Sequence, residues 1–242
     1  MFLKPAVQQP LTKQEVKDIV DFLSYHLGYV PVKMPKAHFC KTAKEFAELY
    51  ENYKVRELGR IDEINKECHA FFDTGTDTVV FQGFSYHDGI EIPTFIIPMS
   101  TVVHELIHFF QYATGTYGSY RILYEGTNDI ISCFLMNDTD PDYKQEAIYA
   151  FSLVMEIVGH DFWRAIEWIR KYTLHSNKNR FVHKEVKQCT AFAKYNPRKL
   201  LMALDKNALD KIENEDTRLI LTKYTLPKIV KLCQTNRQVI QL

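Results

Sequence analysis

Glycine and proline are scarce in this sequence, at nine each among 242 residues, and no segment repeats or turns low-complexity. That composition excludes collagenous, proline-rich and linker-like architectures. No run of 18 apolar residues occurs, and the opening MFLKPAVQQPLTKQE lacks an apolar signal core. A soluble, cytoplasmic protein without a membrane partner is the expectation, with viral origin or non-standard export left open. The five cysteines, Cys40, Cys68, Cys133, Cys189 and Cys233, are odd in number, and no two form a C-x-x-C pair. A reducing compartment is therefore expected rather than a disulfide framework. Net charge is absent too, 30 basic side chains balancing 30 acidic ones. The balance hides an asymmetry: residues 1–160 hold 13 basic and 22 acidic side chains, residues 161–242 hold 17 and 8. Attraction between the two halves accounts for this more simply than a nucleic-acid partner, which stays the weaker expectation.

What is present is an ordinary globular inventory, 46% hydrophobic and 13% aromatic. Thr12 and Glu15 form a capping box ahead of Val16, Ile19, Val20, Leu23 and Leu27, which predicts an amphipathic helix ending near Gly28. A proline-broken strand-like segment follows, then a helix over 42–53. FFDTGTDTVVFQG reads as short strands around a turn. GIEIPTFIIPM reads as an edge strand, because Pro93 and Pro98 cannot donate to a ladder. A helix runs from Ser100 or Thr101 to about Ala113, stops at TGTYGS, and is followed by another over roughly 119–136. The remainder reads as helices separated near NDTDPD, Asn196-Pro197 and Pro227. Trp163 and Trp168 are expected in the core. His26, His38, His69, His87 and His175 show no metal spacing with one another and read as surface or satisfied core histidines.

The chemistry lies in TVVHELIHFFQ, residues 101–111. On a helix, His104 and His108 project from one face a single turn apart, close enough for both imidazoles to reach one zinc ion. Glu105 sits about 100° further round, in reach of a water at that ion. H-E-x-x-H thus reads as two zinc ligands and a general base. Val102, Val103, Leu106, Ile107, Phe109 and Phe110 make the rest of the helix apolar. Buried imidazoles and a carboxylate without partners would be costly in such a setting. A catalytic zinc takes three protein ligands and keeps an open position. On the next helix, YRILYEGTNDIIS offers Glu125 as the candidate third ligand; taken alone, Glu125 and Asp129 read as an exposed acidic face, and it is the neighbouring H-E-x-x-H helix that favours the metal role. Asp129, four residues on, is placed to accept a free ring N–H from a ligand histidine.

HELIHFFQ…YEGTND resembles the gluzincin group of zinc metallopeptidases, thermolysin-like in the core and closest to the minigluzincins. The resemblance covers roughly residues 90–136. It implies His104, His108 and Glu125 as ligands, Glu105 as base, Asp129 as the carboxylate behind a ligand histidine, and the 90–98 segment as the edge along which a peptide substrate aligns. The chain departs from the pattern in carrying Tyr124 before Glu125 and Thr127-Asn128 after Gly126. Such enzymes also use a tyrosine or histidine as oxyanion donor. Tyr117 and Tyr120 match the pattern best, with Tyr124, His160 and His183 as further candidates.

The expected fold is α+β and mostly α-helical: a small mixed or antiparallel sheet before the H-E-x-x-H helix, the glutamate helix after it, and a helical C-terminal half. Residues 1–136 are expected to form the metallopeptidase-like core and 137–242 a helical subdomain packed on it. The expected function is zinc-dependent peptide hydrolysis on a peptide or protein substrate. The alternatives are a dedicated single-target protease of a mobile-element regulatory type, with a basic, nucleic-acid-proximal C-terminal half, and a non-enzymatic assembly protein with a structural zinc.

Overall fold

The computed structural model describes residues 6–58, 69–94, 96–115 and 120–240. The chain is α+β and mostly helical, divided into two compact units, Met1–Ala113 and Thr114–Leu242. No helix among the described residues is long and apolar enough to cross a membrane.

In the first unit, strand β1 (Ala6–Val7) precedes helix α1 (Lys13–Leu27). The capping box forms as its sequence dictates. Glu15 N–H donates to Thr12 Oγ1 at 3.2 Å and Thr12 N–H to Glu15 Oε2 at 2.8 Å. Gly28 ends the helix in the left-handed region (φ 72°), its N–H donating to Ser24 O at 2.8 Å. Strand β2 (Lys36–Cys40) leads into α2 (Ala43–Leu58), which extends five residues beyond its expected end. Then come β3 (Ala70–Asp73) and β4 (Thr78–Gln82). The sheet order is β2-β4-β3, with β2 parallel to β4 and β3 antiparallel to it. The parallel pair needs a crossover, and α2 provides it.

Alternation along the strands gives this sheet two faces. Cys40, Phe71 and Val80 face α2 and pack with its Phe46 and Tyr50. Phe39 and Phe81 stack on the other face, their centroids 4.9 Å apart. The β3–β4 turn is held by Asp73, which accepts from Gly75 N–H (3.0 Å) and Thr76 O–H (2.8 Å).

The 90–98 segment is not one strand. β6 (Ile90–Pro93) pairs with β5 (Phe84–His87) in a hairpin, whereas β7 (Ile97–Pro98) pairs with β1. The prolines interrupt the ladder, and between them Thr94 N–H turns to Gly83 O (3.0 Å). Helix α3 (Met99–Ala113) follows directly and meets the sheet through Phe109, whose ring lies edge-on to Phe72 at 5.8 Å.

The second unit is helical: α4 (Arg121–Met136), α5 (Lys144–Ile157), α6 (Phe162–Leu174), α7 (Lys178–Gln188), α8 (Pro197–Asp205), a single 3-10 turn (Leu209–Lys211), α9 (Glu215–Leu221) and α10 (Leu226–Ile240). Asp161, Asn177, Asn196 and Asn214 each cap the helix after them by accepting an N–H two to three residues inside it. Asn196-Pro197 therefore starts a helix, with Pro at the first position, where no N–H is needed. Trp168 is buried, but Trp163 is 41% exposed. It follows Phe162 by one position and so falls outside the buried stripe of Phe162, Ala165, Trp168, Ile169 and Tyr172.

Candidate metal centre

Helix α3 holds its polar trio inside apolar packing. His104, Glu105 and His108 are 3%, 7% and 5% exposed, while Val102, Val103, Ile107 and Phe110 are completely buried. The helical spacing brings the two imidazoles together, centroids 4.9 Å apart, with Nε2 of His104 3.2 Å from Nε2 of His108. Two nitrogens bound tetrahedrally at roughly 2.0–2.1 Å from a zinc ion stand about 3.3–3.4 Å apart. The pair is thus spaced as one edge of such a site. A single N–H···N bond suits the same distance.

One residue missed at the sequence level orients this pair. Gln111, fully buried, lies one turn beyond His108 and places Oε1 3.0 Å from its Nδ1. An amide oxygen only accepts, so this contact is made with the His108 proton on Nδ1, and His108 Nε2 then faces His104 as an acceptor. The available signal was the i, i+3 spacing from His108, hidden because glutamine three residues on is common on any helix.

In the second unit, Tyr120 is the N-cap residue of α4, and Glu125 lies one turn into the helix, half-buried. Asp129, one turn later, is 2% exposed, and its Oδ2 accepts the N–H of Tyr143 at 2.6 Å. That bond ties α4 to the start of α5, so one oxygen of Asp129 is structurally engaged. Gly126 explains why Glu125 is followed by glycine here. A Cβ at this position would lie 2.6 Å from the carbonyl carbon of Glu146 and 2.9 Å from the amide of Ala147, both backbone atoms of α5. The helices touch there, backbone to backbone.

Tyr117 lies outside the described residues. Tyr120 is 5% exposed, and its hydroxyl is hydrogen-bonded to His183 Nε2 at 2.6 Å. Burial raises the Tyr120 phenol above its ordinary value; burial, aided by the Arg198 charge, lowers His183. Both shifts favour the neutral forms that this bond requires. His160 pairs instead with Glu156 at 3.2 Å, and Tyr124 is half-buried on α4.

No family model, no curated protein and no solved structure matches this chain.

Proposed function

We propose that this protein is a zinc-dependent peptidase in which His104, His108 and Glu125, each offering one ligand atom of a type that zinc accepts, hold the ion. The observation that carries the proposal is the His104–His108 pair, two buried Nε2 atoms 3.2 Å apart on a helix that also bears Glu105. Zinc is favoured over calcium or magnesium because two imidazoles are borderline-soft donors, whereas the harder ions take oxygen. When bound, such an ion supplies Lewis acidity, making water more acidic and a peptide carbonyl more electrophilic.

The chain's own residues supply the rest. Glu105, next to His104 and 7% exposed, takes a proton from the attacking water and returns it to the amine nitrogen as the peptide bond breaks. Gln111 is proposed to hold His108 in the tautomer protonated on Nδ1, which makes Nε2 the ligating nitrogen. Asp129 is proposed as the carboxylate behind a ligand histidine, alongside its bond to Tyr143. Tyr117 or Tyr120 is proposed as the oxyanion donor, and Tyr120 would first have to release His183.

The test is metal analysis and peptide-library hydrolysis on purified wild-type, Glu105→Gln and His104→Ala proteins. Glu105→Gln is expected to retain its full metal content and to lose activity by about 10²–10⁴-fold. His104→Ala is expected to lose one equivalent of metal. A Glu105→Gln protein as active as wild type, or a His104→Ala protein with unchanged metal, would overturn the assignment.

A further inference from the structure

A second set of ligand-type side chains lies in the first unit, away from the H-E-x-x-H helix in sequence. His38 and Cys40 are two apart on β2 and so project from the same face. Glu45 stands in the first turn of α2, just beyond the connecting residues Lys41 and Thr42. One ligand atom from each of His38, Cys40 and Glu45 lies within 4.8 Å of the other two. His38 Nε2 is 2.8 Å from Glu45 Oε1.

We propose that His38, Cys40 and Glu45 form a second divalent-metal site, of zinc class, with one imidazole, one thiolate and one carboxylate ligand.

Three features make this a built cluster. First, Glu45 is fixed at both ends: its other oxygen accepts Lys41 N–H at 2.8 Å and its own N–H donates to Thr42 Oγ1 at 3.1 Å. Its Oε1 is thereby aimed toward the strand rather than left to sweep solvent. Second, Cys40 is completely buried against Phe46, Tyr50 and Phe84, so its position is set by core packing. Third, access is kept on the outer side, where the His38 and Glu45 side chains are 44% and 38% exposed. A tetrahedral zinc ion with these donors spaces its ligand atoms about 3.3–3.7 Å apart, so small side-chain movements close the set while β2 and α2 stay in place. The donor set itself selects the ion. Thiolate and imidazole favour zinc and cobalt over magnesium and calcium. On binding, the thiol proton passes to solvent as the metal–sulfur bond forms, and water fills the open coordination position.

The sequence could not reveal this site. H-x-C followed five residues later by Glu matches no ligand spacing on a single helix or hairpin. It becomes a cluster because the short connection from β2 to α2 turns the first turn of the helix back beside the strand end that carries both residues.

The test uses the full chain, stripped of metal and reloaded with Co²⁺ alone. Wild type is expected to show a thiolate-to-cobalt charge-transfer band in the near ultraviolet. His38→Ala is expected to lose the band and one equivalent of bound metal. Because His38 is exposed, this variant should melt close to wild type. Glu45→Gln keeps an oxygen for the Lys41 bond and is expected to weaken cobalt binding at least tenfold, and Cys40→Ser is expected to abolish the band. His104→Ala is expected to lose the other equivalent while retaining the band, which separates this site from the peptidase assignment. Absence of the band in wild type, or a band and metal content unchanged in both His38→Ala and Glu45→Gln, would overturn the proposal.

Discussion

Substituting Gly126 by alanine sets two physical effects against each other, and the structure decides between them. Alanine is the better helix former by about 1 kcal/mol, so a solvent-facing site would be stabilised. At Gly126 the added methyl would lie 2.6 Å from the Glu146 carbonyl carbon and 2.9 Å from the Ala147 nitrogen. Carbon atoms in good contact stand roughly 3.5–4.0 Å apart, so α5 must retreat by about 1 Å. The obstacle is backbone, and no rotamer change relieves it. Two contacts span the same crossing, the Asp129–Tyr143 bond at 2.6 Å and the Arg121–Glu146 ion pair at 3.2 Å, and both stretch as the helices part. Overpacking of this kind costs about 1–3 kcal/mol, and loss of a hydrogen bond to a carboxylate costs about 1.5–3 kcal/mol more. After the propensity gain, a net loss of about 1.5–5 kcal/mol is expected, or roughly 5–20 °C in the melting of the second unit. Urea and thermal denaturation followed by circular dichroism measure it. Glu125 is the preceding residue, so under the zinc proposal metal affinity should fall alongside stability. A Gly126→Ala protein that melts at or above the wild-type temperature would refute the argument, because propensity would then have outweighed the crossing.

Gln111→Leu keeps the helix and the volume but removes the acceptor beside His108 Nδ1; under the zinc proposal, affinity should fall about 10–100-fold in a competition titration with a chromogenic chelator. His183 is held below its ordinary range, mainly by burial, so as pH falls through about 6.5 the unfolded chain protonates first. Its contribution to stability is intact above that pH and is lost on acidification, and His183→Gln, which still accepts from Tyr120, should show a smaller drop in melting temperature between about pH 8 and pH 5. Lys178 is completely buried, its ammonium donating to His175 O at 3.2 Å, and burial lowers it to about 8. Between about pH 8 and 10.5 the unfolded chain holds more protons, so stability rises with pH through that window, and Lys178→Met should flatten the rise and stabilise the protein at neutral pH by about 2–3 kcal/mol. Equal pH slopes for the two proteins would refute that assignment. Buried Cys233, its thiol pushed up to about 12, should react with thiol reagents at neutral pH only after unfolding, as mass spectrometry of alkylated peptides would report.

The sequence by itself determined whatever is encoded within a few adjacent residues. The Thr12–Glu15 capping box, the Asn196-Pro197 helix start and the projection of His104 and His108 from one helical face all follow from local backbone geometry and hydrogen-bonding chemistry. Tertiary structure alone decided what depends on how elements pack. It split the 90–98 segment between two sheets, because a strand's partner is not written in the strand. It turned Trp163 outward, because one position on a helix is a rotation of about 100°. It set Gly126 against the backbone of α5 and brought His38 and Cys40 of β2 beside Glu45 of α2. Periodicity and caps are short-range properties of a chain; distances between side chains on different elements are fixed only once those elements have closed around a shared core.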